Sequence, residues 1–447
     1  MARSVGTHKR PRVAIIGAGL SGVAVAAALL ERGRRAPDVV LIERSKKFAR
    51  GLAYDTSAPA HILNTRAARM SARESTPEDF AAWLSKRGVD DAPHAFALRS
   101  QYGRYLEHVL ARAARRAFPS RLKRVRAEAL SCAGQDGDWS IALCKGAVVN
   151  ADAVVLALGN GPAPPPAAFA HAQVISAFDA DALARIPSRA DVLLLGTGLT
   201  MADAALSLSR RPRKGVIYAL SRRGLAPRAH AEGHGQAGAR LNPPAQLSAA
   251  LHAFRLAAKH EPWQFVMDRA RLEAPEFWRR LSLQQQQRFL RHLRPWWDVH
   301  RHRAAPQVVA QLDELRDAGA LRVLAGKVVS VTPNGRATEV IYHQRGAHAR
   351  HRLEVGRIVN CTGVDLDFTK PRDGLIGQVL QAGLARTPAN GLGFDVDEAC
   401  RVIAASGAAH QSLYALGPIT QGAFWESTAA PEIRAHAAAI ANALTLV

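Results

Sequence analysis

The chain contains 447 residues, enough to bury the cores of two domains. Its hydrophobic fraction of 48% and charged fraction of 22% are ordinary for a globular protein, and glycines interrupt the apolar stretch 13–30 that could otherwise suggest a membrane span. The net charge of +23 comes from basic residues spread along the chain, which argues against nucleic acid as a partner and predicts a positive potential that attracts small anions.

Targeting and metal-binding signals are also missing from the sequence. The N-terminus is basic but has no adjoining apolar region or cleavage site, so we expect a cytoplasmic protein without a membrane partner. None of the four cysteines lies in a CxxC motif, which argues against a redox-active disulfide and a zinc site. They are Cys132, Cys144, Cys361 and Cys400. The histidines lack carboxylate or cysteine partners at ligand spacing, so no metal site is predicted.

A glycine-rich turn opens the first predicted unit. Val13–Ile16 predicts a buried strand, Val23–Leu30 predicts a helix, and the GAGLSG motif Gly17–Gly22 joins them. Its glycines allow a tight turn, close backbone approach to a pyrophosphate and close helix packing. A second strand, Val39–Ile42, ends at Glu43, where an acid can bind ribose hydroxyls. The alternative is a βαβ unit that binds no ligand.

The same pattern recurs 179 residues later. Asp191–Leu195 predicts a strand and 203–210 a helix, and the turn Gly196–Met201 keeps the first two glycines but has methionine at the third. The next predicted strand, Gly215–Leu220, is followed by Ser221–Arg223 in place of an acid. Arginines here favour NADPH over NADH, although they could also be solvated surface residues. Two such turns predict electron transfer from a nicotinamide to a flavin.

The remaining elements suggest three segments. Residues 1–165 form the first part of an FAD-binding domain, residues 187–345 an NAD(P)H-binding domain, and residues 346–447 return to the first domain. Within the second segment, residues 246–319 have a helical pattern and predict an insertion.

Several further segments match a known pattern: Gly51–Tyr54, Leu63–Asn64, Met70–Ser71, Gly196–Asp203, Ser221–Leu225, Trp297–Arg303, Asn360–Gly363, Gly417–Pro418 and Gly422–Glu426. Together with Gly17–Gly22, they resemble the flavoprotein monooxygenase family that contains bacterial FAD-dependent urate hydroxylase and aspartate N-monooxygenase. The resemblance covers nearly the whole chain. It implies an α/β fold with two Rossmann-like dinucleotide-binding domains, of the three-layer ββα flavoprotein type, with a helical insertion.

The pattern and the resemblance together nominate site residues. The candidate cofactor-binding residues are Gly17, Gly19, Ser21, Gly22, Glu43, Arg44, Gly51, Met70, Gly196, Gly198, Thr200, Ser221, Arg222, Arg223, Gly363, Gly417 and Phe424. The candidate catalytic residues are Asn64, His300 and Arg301, and the candidate substrate residues are Trp297, His302 and Arg303. Asn64 could instead cap a turn, and the basic run 300–303 could be a solvated helix face. His230 and His234 are weaker candidates for substrate contact.

The implied activity is an FAD-dependent monooxygenase reaction that consumes NADPH or NADH and molecular oxygen and hydroxylates a small anionic substrate. We expect conversion of urate to 5-hydroxyisourate, with N-hydroxylation of an aspartate-type amino acid as the alternative. An electron-transfer flavoprotein reductase and a dinucleotide sensor without turnover stay open, as does a homo-oligomer.

Overall fold

The computed structural model describes residues 10–119, 122–159, 161–231, 240–347 and 349–444. His234, a weak candidate for substrate contact, lies outside these residues.

The strands, in chain order, are β1 (Arg12–Ile16), β2 (Asp38–Glu43), β3 (Leu122–Arg126), β4 (Ala129–Gln135), β5 (Asp138–Leu143), β6 (Val148–Ala151), β7 (Ala153–Leu156), β8 (Val174–Ser176), β9 (Val192–Leu195), β10 (Ile217–Ser221), β11 (Leu321–Asn334), β12 (Ala337–Gln344), β13 (Arg350–Val355), β14 (Arg357–Asn360), β15 (Arg401–Ile403) and β16 (Ala409–Ala415).

The α-helices are α1 (Leu20–Leu30), α2 (Gly51–Tyr54), α3 (Asp79–Ser85), α4 (Arg99–Arg116), α5 (Ala180–Ala184), α6 (Leu199–Leu208), α7 (Leu247–Ala257), α8 (Trp263–Arg280), α9 (Leu283–Arg288), α10 (Arg294–Arg301), α11 (Pro306–Asp317), α12 (Gly374–Gln381) and α13 (Ala430–Ala443).

The first unit is built on a six-stranded sheet in the order β15-β16-β7-β1-β2-β3, in which only β15 is antiparallel to its neighbour. Side chains alternate between the faces of its central strand, as strand geometry requires. Val13 and Ile15 pack under α1, α4 and α13, whereas Ala14 and Ile16 pack against the small sheet β4-β5-β6 and α12. The unit therefore has the expected three-layer ββα architecture.

The second unit is built on a seven-stranded sheet in the order β13-β12-β11-β10-β9-β14-β8. The strands from β8 to β11 are parallel, and β11 continues into an antiparallel hairpin arrangement with β12 and β13. One face carries α5, α6 and α11, and the other packs on Phe169 and the inner residues of β12. The two Rossmann-like units and their parallel sheets confirm the predicted α/β fold class.

Three expected segment boundaries differ from the structure. β13 and β14 pair within the second sheet, so the chain returns to the first unit after Asn360 and not at residue 346. β8 also joins this sheet, so the second unit begins before residue 187. α11 packs against α6, so the helical insertion consists of α7 to α10 and does not extend to residue 319. Gly356 separates β13 from β14 in a stretch that reads as one strand in sequence.

The chain passes between the units twice, and the two crossings lie side by side. The amide of Ala163 donates a hydrogen bond to the carbonyl oxygen of Gly363 at 3.0 Å. Pro162 and Val364 form an antiparallel β-bridge. The Asn360 side-chain amide also donates to the Ala163 carbonyl at 2.7 Å, so both connections are held as one short ribbon.

Replacing Gly22 should destabilise the first unit. A Cβ atom on Gly22 would lie 1.9 Å from the carbonyl oxygen of Gly17, so α1 would have to move away from β1. We expect Gly22→Ala to lower the free energy of unfolding by about 1–3 kcal/mol, measured by denaturant titration with circular dichroism. Gly161→Ala is the control, because no described atom outside its chain neighbours lies within 4 Å of a Cβ there. Equal losses in the two variants would contradict this packing explanation.

Candidate functional site

The first glycine turn lies where β1 meets α1, at the carboxyl edge of the six-stranded sheet. Gly17 has a φ of 101°, and a Cβ there would lie 2.2 Å from the carbonyl oxygen of Ala157. Gly19 precedes α1, and the nearest atom to a Cβ on it would be the Cα of Gly51, at 3.6 Å. Within the described residues no side chain caps α1, so the amides of its first turn are open to an anion.

Glu43 holds its carboxylate beside this turn. One oxygen, Oε2, accepts a hydrogen bond from the amide of Ala18 at 2.8 Å, and Oε1 accepts one from the amide of Ser45 at 2.9 Å. Each oxygen keeps a second lone pair, which can accept from a ribose hydroxyl. Arg44 instead points to Glu128, 3.5 Å away, in an ion pair of two exposed side chains.

The C-terminal part of the chain brings a second loop to the same turn. Gly417 has a φ of 82°, and a Cβ on it would lie 2.5 Å from the Ser21 hydroxyl oxygen in the first turn of α1. Met70 is buried and reaches the cleft described below. Phe424 does not line that cleft, because its ring packs 4.4 Å from the ring of His436.

The second glycine turn has the same construction. A Cβ on Gly196 would lie 2.5 Å from the carbonyl oxygen of Cys361, which follows β14. This matches the first turn, where a Cβ on Gly17 would meet the carbonyl oxygen of Ala157 after β7. Gly198 has open space around it, and Thr200 lies in the first turn of α6. Met201, at the position of the third glycine, is fully buried in the core of the second unit. The methionine is therefore accommodated by packing, and the turn keeps an open face.

The polar residues at the end of β10 differ in their hydrogen-bond partners and in their exposure. The Ser221 hydroxyl accepts a hydrogen bond from a backbone amide of its own turn at 2.9 Å. Arg222 is exposed and has no hydrogen-bond or carboxylate partner in the part of the chain that the structure describes. Arg223 donates to the carbonyl oxygen of His292 at 3.4 Å, and Gly363 has a φ of 91° with open space around it. Arg222 is thus the cation available to a ligand at this edge.

A cleft of about 450 Å³ lies between the first unit and the helical insertion. Its walls come from Tyr54 and the segments 64–70, 93–94, 230–231, 265–272, 301–303 and 428–431. Residues far apart in sequence therefore share one cavity, among them the candidates Asn64 and Met70 and the basic residues 301–303. The predicted site residues that line it are Asn64, Met70, Arg301, His302 and Arg303.

Two of the predicted residues of this region do not line the cleft. His300 donates through Nδ1 to the carbonyl oxygen of Trp296 at 2.7 Å, and its ring meets Trp263 edge-on at 4.8 Å. Trp297 packs against Phe289 in an apolar cluster. α10 ends at Arg301, and the backbone of His302 is no longer helical, so residues 301–303 reach the cleft whereas His300, still on the helix, lies against Trp263.

Positive charge dominates the cleft. Among the described residues that line it, one carboxylate, Asp268, stands against six arginines: Arg66, Arg69, Arg269, Arg271, Arg301 and Arg303. His94, His230 and His302 also line it, and burial lowers the pKa of the last two. The cleft is therefore suited to a ligand that carries negative charge.

Buried carboxylates neutralise part of this charge from behind. Arg301 donates to Glu426 at 2.7 Å, and Arg271 donates to Glu432 at 2.7 Å and lies 3.7 Å from Glu426. Arg271 and Glu426 are only 4% and 3% exposed. Burial raises the pKa of Glu432, and the charge of Arg271 opposes that shift. This network fixes α8 and α10 to the start of α13.

Arg69 is in a different situation from these paired arginines. Arg303 is paired with Asp268, and Arg269 with Glu261. Arg66 donates to the Ala231 carbonyl. The exposed Arg69 has neither a carboxylate nor a carbonyl partner among the described residues. Its charge is available at the cleft surface.

His230 contributes a neutral imidazole to the cleft. Burial, followed by the charge of Arg303, lowers the pKa of His230 to about 4. The Nε2 atom lies 2.9 Å from the backbone carbonyl oxygen of Asn64, and because a carbonyl only accepts, Nε2 carries the proton. The other nitrogen, Nδ1, therefore has the lone pair. The side chain of Asn64 makes no capping hydrogen bond within the described residues.

Sequence reasoning missed four arginines of the cleft: Arg66, Arg69, Arg269 and Arg271. Arginine is common throughout this chain, so single residues do not stand out. For Arg69, its position next to Met70 was the available signal. For Arg271, only the fold brings α8 to the cleft.

The described ranges contain neither a membrane-spanning helix nor a metal-binding cluster. No helix there is long and apolar enough to cross a membrane. No group of three or more histidine, cysteine, aspartate or glutamate side chains is placed to hold a metal ion in that part of the chain.

Comparison with known proteins agrees with this architecture. A family model described as FAD-NAD(P)-binding matches residues 14–161, the first glycine turn included. No curated protein sequence matches the chain.

Solved structures match over nearly the whole length. L-lysine 6-monooxygenase from Pseudomonas syringae is 17% identical, with a TM-score of 0.66 over 97% of this chain and 99% of that one. Ornithine N-hydroxylase from Kutzneria sp. 744, with reduced FAD, NADP+ and L-ornithine, is 18% identical, with a TM-score of 0.66 over 97% and 98%. The FAD-bound cadaverine monooxygenase from Erwinia amylovora is 12% identical, with a TM-score of 0.67 over 97% and 94%. The chain has the fold of FAD-dependent monooxygenases.

Removing Glu426 should be strongly destabilising. It would leave Arg271 and Arg301 buried with too few counter-charges, and breaking a buried pair in this way costs about 3–5 kcal/mol. We expect Glu426→Ala to show a loss of this size in denaturant unfolding. Glu398→Ala is the matched control, because Glu398 is 86% exposed in its pair with Arg279. The control should change stability by about 1 kcal/mol or less. Similar losses would argue against the buried network.

Acid should destabilise the protein through His436. Burial lowers the pKa of His436 to about 4, against about 6.5 in an unfolded chain. Between these two pH values the His436 ring is protonated in the unfolded state and neutral in the folded state. The free energy of unfolding therefore falls as pH drops from 6.5 towards 4. Between pH 7 and 5 the loss from this group is up to about 2 kcal/mol. His436→Phe should show a smaller loss over this interval in denaturant unfolding, and an unchanged loss would contradict the assignment.

Proposed function

We propose that this protein is an FAD-dependent, NADPH-consuming monooxygenase that N-hydroxylates a small amine whose carboxylates outnumber its amino groups, such as an amino acid of the aspartate type. The observation that carries the proposal is the arginine-rich cleft at the edge of the first unit, with Arg69 free to bind an anion. The fold supports the flavin chemistry.

The neighbouring structures favour an amine over a purine as the substrate. Their names refer to lysine, ornithine and cadaverine. Conversion of urate to 5-hydroxyisourate, the main expectation from sequence, finds no support in these comparisons, and we do not retain it.

The cleft charges favour a carboxylate-bearing amine over a diamine. Among the described lining residues, a dication such as cadaverine would face six arginines and one carboxylate, Asp268, which already pairs with Arg303. Like charges repel and lower affinity, so the cleft rejects such a ligand. A carboxylate can instead form a bidentate pair with the guanidinium of Arg69.

The residues around both glycine turns fit the two dinucleotides. Gly17, Gly19 and the first turn of α1 would hold the FAD pyrophosphate, Glu43 a ribose, and the loops at Gly51 and Gly417 the rest of the molecule. Bound FAD supplies the redox chemistry, in which amine, O₂, NADPH and a proton give hydroxylamine, NADP+ and water.

NADPH is the preferred reductant because of Arg222. The strand β10 ends at Ser221, and the residue that follows is an arginine and not an acid. The Arg222 guanidinium is exposed and unpaired among the described residues. An arginine at this position can bind the 2′-phosphate that distinguishes NADPH from NADH.

His230 would orient the substrate amine. Its Nε2 proton is committed to the Asn64 carbonyl, so Nδ1 can accept an N–H from the amine. A pKa of about 4 keeps the ring neutral at physiological pH, and a neutral ring does not repel an amine. Arg69 and His230 together would hold the carboxylate and the amine of one small molecule.

The proposal is tested with purified protein, FAD and NADPH. L-Aspartate and L-glutamate should stimulate NADPH oxidation and yield a hydroxylated product, whereas L-lysine, cadaverine and urate should not. Product is measured by mass spectrometry. NADPH oxidation that yields only hydrogen peroxide with every compound would reject the monooxygenase, and a urate product would reject the substrate class.

Arg69→Ala should weaken binding of the carboxylate substrate. Loss of one charged hydrogen-bonded contact, about 1.5–3 kcal/mol, corresponds to a KM about 10–100-fold higher. Arg280→Ala is the control, because Arg280 is exposed at the end of α8 and does not line the cleft. If both variants keep the wild-type KM, Arg69 does not bind the substrate.

A further inference from the structure

The two units meet along the outer face of α6. The histidine ring of His61, in the first unit, bridges this contact. Its Nε2 lies 2.9 Å from the hydroxyl of Ser207 on α6, and its Nδ1 lies 2.8 Å from the hydroxyl of Thr56. The ring therefore connects a loop of the first unit to a helix of the second.

An ion pair reinforces the bridge one turn earlier on the same helix. Arg99, at the start of α4, lies 2.7 Å from the carboxylate of Asp203. Both side chains are less than one-fifth exposed. Burial raises the pKa of Asp203, and the charge of Arg99 opposes that rise, so the carboxylate depends on its partner. Asp203 and Ser207 are four residues apart and share one face of α6.

Apolar and backbone contacts extend the same junction. Ala60, Ile62 and Phe96 of the first unit pack against the core of the second. The amide of Arg99 donates to the carbonyl of His61 at 2.9 Å, which ties the start of α4 to the bridging loop. The junction is therefore packed on both sides of its polar centre.

We propose that Arg99, Asp203 and His61 are positioning residues that hold the NADPH-binding end of α6 in register with the flavin. This inference rests on the proposed function, because it concerns the hydride transfer that oxidises NADPH to NADP+ and reduces the flavin by two electrons. We name these three residues and Ser207 the α6 joint. None of the four lines the cleft.

The joint acts close to the dinucleotide turn. Asp203 lies five residues after Gly198, which at 1.5 Å per residue places it about 7.5 Å along the helix. A displacement of α6 at the joint therefore moves the turn as well. Hydride transfer needs reacting atoms about 3–3.5 Å apart, and an error of about 1 Å can slow a reaction about 100-fold.

The joint also connects to the cleft through its own loop. His61 is followed three residues later by Asn64, whose backbone carbonyl accepts from His230 of the second unit. The same short loop therefore touches α6 at one end and the cleft at the other. A loosened joint would shift the reductant with respect to the flavin without removing a group that binds FAD.

The decisive variant is Asp203→Asn, which keeps the side-chain volume and removes the charge opposite Arg99. Flavin reduction is followed anaerobically by stopped-flow absorbance with saturating NADPH. We expect a first-order rate constant at least tenfold below wild type, with FAD content and the rate of reduction by dithionite unchanged. Asp181→Asn, an exposed acid on α5 of the same unit, is the control and should keep the wild-type rate.

A milder variant protects the test against misfolding. Ser207→Ala removes only the hydroxyl that faces His61. The net free energy of one neutral hydrogen bond corresponds to about a threefold to tenfold change, and we expect flavin reduction to be slower by about that factor. If Asp203→Asn does not fold, Ser207→Ala decides.

The outcomes separate this inference from the proposed function. If wild-type protein loaded with FAD is not reduced by NADPH at all, the proposed function fails. If wild type is reduced and both joint variants keep its rate constant while only their thermal stability falls, the joint is purely structural and the inference is overturned.

Discussion

Each glycine turn is packed against the backbone carbonyl at the end of a neighbouring strand, and the rest of the architecture depends on this contact. The space for a side chain at Gly17 is taken by the carbonyl of Ala157, and at Gly196 by that of Cys361. These carbonyls directly follow β7 and β14, after which the chain leaves for the other unit. The same contact thus shapes a phosphate-binding turn and sets the point at which the two units connect.

The high net positive charge of the chain is partly neutralised at the cleft by ion pairs that only the fold brings together. The chain carries a net charge of +23, yet several cleft arginines are neutralised by carboxylates behind them. Because the network of Arg271, Arg301, Glu426 and Glu432 links α8 and α10 to α13, the insertion is anchored to the first unit. The part of the cleft wall formed by α8 and α10 is therefore attached to the first unit by these ion pairs, and α6 of the second unit is attached to it by the α6 joint.

The fold was largely predictable, because strands such as β1 and β9 are apolar runs that end in glycine. The helices were predicted three or four residues late: α1 begins at Leu20 and α6 at Leu199. Their first turns lie against the phosphate turn, where apolar periodicity is weak. The cleft was only partly predictable, since its described lining combines residues from seven separate places in the sequence. Arg69 and His230 acquire their roles from packing and burial, which no local pattern records.

The paired crossings between the units have an evolutionary meaning. Because Ala163 and Gly363 are hydrogen-bonded neighbours, everything between them is an excursion that starts and ends at one place. A compact insertion with adjacent ends can be accepted by a host domain with little strain. Because the two ends are adjacent, one crossover at each of them would exchange one nucleotide-binding half for another while leaving the host sheet intact.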